Sequence, residues 1–376
     1  MGTNFPIAFS PAGFIIRQKV LGSGQDPSDR RKRPAADKQT VVRRRRTLIA
    51  GEHMKEFIIG KNDAGQRLDR FAAKAAPLLP SSLLQKALRR KDVKINGRPA
   101  KGDARLNEGD SVRIYVSDEF FERPTEKNAW RAVADPKLDI VYEDDNILLV
   151  NKRAGMLCHS AGEWTWDTLI AHIQAYLRAK GEWDPSAENS FAPALCNRID
   201  RNTEGIVIAA KNAEALRIMD EKVRAREIEK TYLCVVRGTP RPASGRLENH
   251  IFKDAKKNRV YVYDTPHVGA RTAVTEYRTL ASEGGLSLAE CRLITGRTHQ
   301  IRAQFAHAGW PLLGDGKYGS ERFNRRFDEK GQALCSWKLT FDFTSPAGAL
   351  DYLNGRSFRA PVPDFAKKYF PSMKID

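Results

Sequence analysis

Between residues 197 and 205 the chain reads Asn197-Arg198-Ile199-Asp200-Arg201-Asn202-Thr203-Glu204-Gly205. This polar loop runs directly into Ile206-Val207-Ile208-Ala209, a short apolar run that suits a buried strand. A loop held by a rigid strand can fix side chains at the mouth of a site. Asp200 is the residue here best suited to chemistry. A carboxylate can attack an electrophilic carbon, stabilise a developing cation or accept a proton. Arg198 and Arg201 flank it, and nearby opposite charge favours the ionised form of a carboxylate. The plainer reading is a salt-bridged surface turn, and the local pattern alone leaves both open.

Three more segments carry reactive side chains. Lys230-Thr231-Tyr232 leads into a strand that runs to Val236. In Gly296-Arg297-Thr298-His299-Gln300-Ile301-Arg302 a short helix is predicted from about Thr298, burying Ile301 and Phe305 and ending at Gly309. Leu312-Leu313-Gly314-Asp315 follows. Taken together and in this order, the segments resemble the RluA/RluC/RluD family of RNA pseudouridine synthases. The 197–205 loop is similar to that family's Arg-Leu-Asp-x-x-Thr-Ser-Gly signature. The resemblance spans roughly Gly60 to Phe365.

The resemblance implies a reaction and roles. Uridine would be converted to pseudouridine by breaking the uracil–ribose C–N bond, turning the base and rejoining it through carbon. Asp200 would be the catalytic carboxylate. Arg302 would pair with it, and Tyr232 would stack on the base near the step that removes a proton. Arg198 would fill the gap left by the extruded nucleotide, because a stacked base cannot turn in place. Nothing is oxidised and no phosphate moves, so no metal and no nucleotide cofactor is expected. Two positions depart from the family pattern. Asn197 stands where His is commoner, and Glu204 stands where a small residue is usual. Glu204 is expected to point outward or to meet Arg201.

The elements that must position these residues are partly legible. Asp63, with Gln66 three residues on, is expected to cap a helix carrying Leu68, Phe71, Ala72 and Ala75. Ser82-x-x-Gln85 reads as a capping box for a second helix that buries Leu83, Leu84, Ala87 and Leu88. Its other side carries Lys86, Arg89 and Arg90, with Lys91 just beyond. Val93–Ile95, the tight-turn pair Asn96-Gly97 and the alternating Ser111–Val116 complete a small hairpin module. Residues 57–117 resemble the alpha-L RNA-binding module of a ribosomal protein, and Lys86, Arg89, Arg90 and Lys91 are its expected RNA contacts. Residues 118–137 read as a linker. From 138 to 372 the chain reads as a catalytic domain whose strands include 140–142, 147–150 and 206–209. Asn212 should cap a helix bearing Leu216, Met219 and Val223. The expected class is α+β: a small α/β RNA-binding domain, then a synthase domain with a mixed, mainly antiparallel sheet.

Charge narrows the partner. The 376 residues carry a net +18 with a hydrophobic content of 41%. A sizeable core can form, and a polyanion such as RNA is the expected partner. Residues 1–53 hold eleven Lys or Arg against four acids and show no sustained period. They are expected to be a disordered basic extension, with Met54 as an alternative start. No apolar run approaches the ~18 residues a membrane span needs. Five unpaired cysteines match no zinc spacing and fit free thiols in a reducing cytoplasm. The expected substrate is ribosomal RNA of the large subunit, bound by a cytoplasmic monomer. The alternative is a non-catalytic RNA-binding assembly protein. A nucleotide-dependent oxidoreductase would rest on Gly314-x-Gly316-x-x-Gly319, which lacks the required strand-to-helix setting and reads as a turn. His299 and His307 lack a third metal ligand, and His299 is read as support for the loop around Arg302. Trp164 and Trp166 are read as core, with base stacking as the alternative.

Overall fold

The structure, a computed structural model, describes residues 54–121, 129–160, 167–327, 329 and 331–375. The basic extension, Trp164 and Trp166 lie outside the described residues. The first part of the described chain is built from β1 (Lys55–Ile58), α1 (Leu68–Ala75), α2 (Ser81–Arg90), β2 (Val93–Ile95), β3 (Arg98–Pro99) and β4 (Ser111–Ile114). The strands form an antiparallel sheet in the order β1-β4-β2-β3. The period-2 pattern of β4 puts Val112 and Ile114 inward, where they meet Leu68, Phe71 and Val93 in a core separate from the rest. Asn96 and Gly97 both take positive φ, 50° and 76°, as the tight hairpin between β2 and β3 demands.

Two helix starts differ from the sequence expectation. α2 begins at Ser81 with Pro80 as its N-cap and no side-chain cap, so Ser82 already lies inside the first turn and no capping box forms. Leu84 and Ala87 are buried, whereas Leu83 faces solvent at 41% exposure. Asp63 caps no helix, because α1 starts only after Arg67. Instead the Asp63 carboxylate is buried and receives Gln66 Nε2 (3.3 Å), Asn189 Nδ2 (3.1 Å) and the Ser190 hydroxyl. Residues of the same turn continue the docking. Asn62 Nδ2 donates to Glu188 Oε1 at 2.7 Å, and its Oδ1 accepts from Ala213 N at 3.1 Å. A buried carboxylate with these partners fastens the small module to the larger domain. The described ends of the 118–137 stretch are packed too. Phe121 belongs to the module's core, and Trp130 meets Trp183 edge-on at 5.8 Å.

The larger part contains β5 (Ile140–Glu143), β6 (Ile147–Lys152), α3 (Leu169–Ala179), β7 (Ala194–Leu195), β8 (Glu204–Ala210), α4 (Ala213–Ala225), β9 (Ile228–Arg237), β10 (Ser244–Asp254), β11 (Arg259–Tyr263), β12 (Arg271–Glu283) and β13 (Leu286–Leu293). It ends with α5 (Gln300–His307), α6 (Glu321–Asn324), β14 (Leu334–Phe341), β15 (Ser357–Arg359) and α7 (Asp364–Tyr369). Its eleven-stranded sheet runs β11-β10-β12-β13-β9-β14-β8-β6-β5, with β15 on β14 and β7 on β8. β14 and β8 pair in parallel, and the other pairings are antiparallel. The α+β class and the mixed, mainly antiparallel sheet therefore stand. Asn212 caps α4 as expected, accepting from Ala215 N at 2.9 Å, and Met219 is buried. Among the described residues no helix is long and apolar enough to cross a membrane.

The centre of this sheet sets the spacing of the reactive residues. Gly205 on β8 lies opposite Ser336 on β14, which lies opposite Tyr232 on β9. Ser336 Oγ also donates to Ile206 O at 3.2 Å. Gly205 has φ of 110°, and a Cβ placed there would lie 2.3 Å from Ser336 O. Only glycine fits, because both the conformation and the space exclude a side chain. Gly205→Ala should destabilise the protein by about 3 kcal/mol or more, adding backbone strain to a backbone clash. Urea unfolding measures this, and a loss under about 1 kcal/mol would show that the β8–β14 contact yields.

Candidate active site

Asp200 sits in the loop between β7 and β8, and five contacts hold that loop in place. Asn197 Oδ1 accepts from Ile208 N at 2.8 Å. Cys158 Sγ donates to Ile199 O at 3.5 Å, and Arg201 Nε donates to Gly155 O at 3.0 Å. Gln332 Nε2 meets Thr203 Oγ1 at 3.1 Å. Lys152, wholly buried at the end of β6, donates to three carbonyls: Arg153, Met156 and Arg201, at 2.9–3.0 Å. Burial pushes the Lys152 ammonium down to about 8, opposed by the fields of Cys158, Asp200 and Glu204. Its three acceptors keep it a useful donor at neutral pH.

The loop brings Asp200 to Arg302. Arg302 Nη1 donates to Asp200 Oδ2 at 2.8 Å. The rest of the guanidinium is held by Asp315, with Nε to Oδ2 at 2.7 Å and Nη2 to Oδ1 at 3.0 Å. Arg302 thus bridges two carboxylates, one buried and one facing a cleft. Asp315 is fully buried and also accepts from the backbone N–H of Lys317 and Tyr318 at 2.8 and 3.1 Å. Burial pushes the Asp315 carboxyl up, but Arg302 and these two N–H groups outweigh it and hold it below its ordinary value. Burial likewise works against the Arg302 charge. Asp315 and then Asp200 prevail and raise it.

The glycine-rich stretch forms the turn that carries this clamp. A Cβ on Gly314 would lie 2.0 Å from Gly331 O, and one on Gly319 would lie 2.4 Å from Asp315 O. The turn closes tightly around Asp315. In the sequence Asp315 stands only as part of Leu312-Leu313-Gly314-Asp315, without a role. A carboxylate between glycines in a turn is the signal that could have found it.

A cleft of about 320 Å³ opens beside Asp200. Its lining includes Tyr232, Val223, Leu293, Ile301, Leu334 and Lys230. Tyr232 is buried on β9, and burial pushes its phenol up to about 12 against a contribution from Ser336. It stays a neutral ring through the physiological range. Lys230 also faces the cleft, and burial lowers its pKa. Arg198 is exposed at the mouth, and among the described residues no hydrogen bond or ion pair ties it down. Lys86, Arg89, Arg90 and Lys91 are exposed on or just after α2, and none of them lines this cleft.

His299 belongs to the site, beyond the supporting role read from sequence. Its backbone is left-handed, φ 54°, and this turns the ring toward Asp200, with Nε2 3.9 Å from Oδ2. Val260 N donates to Tyr318 Oη at 2.9 Å, and Tyr318 Oη lies 2.8 Å from His299 Nδ1. Burial pushes the imidazole down to about 4, so the ring is neutral at pH 7. The arrangement that satisfies all three groups has Tyr318 donating to Nδ1, which leaves the ring proton on Nε2, facing Asp200. Glu204 neither points outward nor meets Arg201. It is half-buried, its pKa raised first by burial and then by Asp364, with Lys152 opposing. Arg201 turns to Gly155 instead.

A cleft walled by a neutral aromatic ring and opened beside a guanidinium-held carboxylate suits an enzyme that acts on a flat ring such as an RNA base. Comparison with known proteins agrees. Residues 146–307 match the RNA pseudouridylate synthase family model. The chain is 31% identical to an uncharacterized RNA pseudouridine synthase of Chlorobaculum parvum, over 81% of this chain and 93% of that one. It is 31% identical to ribosomal large subunit pseudouridine synthase D of Neisseria meningitidis, over 80% and 77%. It is 30% identical to ribosomal large subunit pseudouridine synthase C of Escherichia coli, over 75% and 85%. The chain belongs to the RNA pseudouridine synthase family and is an isomerase.

The buried pair gives a pH test. Asp315, with a depressed folded pKa, contributes stability that is complete above its ordinary value of 3.8 and lost as pH falls through the lower folded value. Asp315→Asn keeps the shape and removes the charge. It should cost about 3–5 kcal/mol at pH 7. Urea unfolding should show the gap to the parent narrowing as pH drops below 3.8. A gap that is constant with pH would mean that the Asp315 charge does not support the fold.

Proposed function

We propose that the protein isomerises uridines of large-subunit ribosomal RNA, with Asp200, Tyr232 and Arg302 as its catalytic residues. The observation that carries this reading is the 2.8 Å contact of Arg302 with Asp200 at the edge of the cleft lined by Tyr232. Arg302 occupies Oδ2, and no hydrogen bond among the described residues occupies Oδ1. Oδ1 is the oxygen open to the ribose. The relatives from Neisseria and Escherichia are named for the large ribosomal subunit, which favours that RNA as the substrate here.

In this reading the target uridine leaves its stack and its base enters the cleft against Tyr232. Arg198, free at the mouth, takes the vacated position. The C–N bond breaks as positive character grows on the ribose carbon. Asp200 meets that charge, by attack, by electrostatic stabilisation or by taking a sugar proton. The base then turns and rejoins through carbon 5, which gives up its proton near Tyr232. A phenol with a pKa near 12 suits stacking and hydrogen bonding in this step better than service as a free phenolate. The reaction is redox-neutral, so the reading includes no cofactor. Lys86, Arg89, Arg90 and Lys91 on the docked module would add phosphate contacts at a distance from the chemistry. We place the enzyme in the cytoplasm as a monomer.

Asp200→Asn should abolish tritium release from large-subunit ribosomal RNA labelled at uridine carbon 5, while the protein still folds and binds RNA. A neutral amide can neither attack nor stabilise the developing cation. Release within about tenfold of the parent, a barrier change of only ~1.4 kcal/mol, would remove Asp200 from the chemistry.

A further inference from the structure

Beside the cleft lies a second group of cations that the chemistry does not use. Arg297 is half-buried, and its Nε donates to Thr272 O at 3.0 Å. Its pKa is lowered first by burial and then by the fields of Arg271 and Arg226. Arg226 is exposed and ends α4 in the left-handed conformation, and Arg271 is exposed at the start of β12. Arg297 lines one groove with Arg226 and a second hollow with Arg271, so it stands between the other two. Among the described residues no ion pair joins any of them to a carboxylate.

Arginines on neighbouring strands behave differently. Arg246 pairs with Glu248 at 3.1 Å, Arg278 with Glu290 at 3.0 Å and Arg292 with Glu229 at 2.9 Å. Two carboxylates, Glu229 and Asp342, line the groove that holds Arg226 and Arg297. Glu229 is taken by Arg292, and no ion pair among the described residues links Asp342 to the three. Like charges held together raise the free energy of the empty protein, and a bound anion relieves it.

The position of the group identifies the anion. Arg297 is a wall shared by three hollows: the base cleft, a groove of about 410 Å³ with Arg226, and a hollow with Arg271. A nucleotide whose base fills the cleft has its ribose at Asp200, and the adjoining strand must leave across the cleft rim, part of which Arg297 forms. Guanidiniums match phosphate oxygens in geometry as well as charge. We propose that Arg226, Arg271 and Arg297 form a phosphodiester-binding subsite that grips the RNA backbone beside the extruded nucleotide. This rests on the reading of RNA as the substrate. The subsite works through charge and carries no base specificity, so it holds the strand in register with Asp200 while base selection lies elsewhere.

The test is salt dependence. Binding of a 20-nucleotide oligouridylate is measured against potassium chloride concentration for the parent, Arg226→Gln/Arg271→Gln and a charge-matched control, Arg246→Gln/Arg278→Gln. Removing one cation that neutralises a phosphate of a single strand lowers the slope of log affinity on log salt by ~0.7. The expected drop is therefore ~1.4 for the first double variant and none for the control. Arg271→Gln alone, at an exposed strand end, should give about half the effect. Equal slopes for parent and first variant, or equal drops in both double variants, would overturn the subsite. Tritium release by the parent separates the two claims. An active parent with unchanged slopes fails this inference alone, whereas an inactive parent fails the functional reading.

Discussion

One guanidinium spanning two carboxylates organises this enzyme. Arg302 gives two donors to buried Asp315 and one to Asp200 at the cleft. A planar guanidinium fixed along one edge has little freedom left along the other. Asp315 thereby sets where Asp200 must be. Burying the pair is costly, and the bidentate geometry with two additional backbone N–H groups on Asp315 offsets that cost. The interaction contributes orientation before it contributes stability.

The rest of the fold serves to bring the two ends of this bridge together. Arg302 comes from α5 and Asp315 from the turn shortly after it, while Asp200 comes from a loop over a hundred positions earlier in the chain. The sheet closes that separation. Gly205, Ser336 and Tyr232 lie in register across β8, β14 and β9, so the Asp200 loop and the aromatic ring share one frame. Lys152 draws Arg201 onto the end of β6, and Asn197 ties the loop's start to β8. His299, held left-handed ahead of α5, faces the same carboxylate as a neutral ring.

Much of this site is legible in the sequence. Asp200, Tyr232 and Arg302 stand in recognisable segments, and the structure brings all three to one cleft. The Asn212 cap and the period-2 strand at Ser111 are legible because local rules govern them. What stays hidden depends on distant partners. Asp63 has the residue type and spacing of a helix cap, yet Asn189 and Ser190 claim it from across the chain. The Ser82 capping box fails because α2 starts two residues early, with Pro80 as its N-cap. Asp315 lacks a role in sequence because its partner is recognised only through the fold. Glu204 and Asn197 depart from the family pattern, and the structure gives Asn197 a fastening role that a hydrogen-bond acceptor can fill.

The central claim is that the bridge, and not merely a positive charge near Asp200, is required. Arg302→Lys tests it most directly. Lysine keeps the charge but is a point donor that cannot hold Asp315 in two-point contact and reach Asp200 together. Single-turnover rates on unmodified large-subunit ribosomal RNA should fall by about a hundredfold or more, the scale of a small misplacement of reacting groups. A folded Arg302→Lys protein that turns over within a few-fold of the parent would show that charge alone suffices, and the account built on the bridge would be wrong.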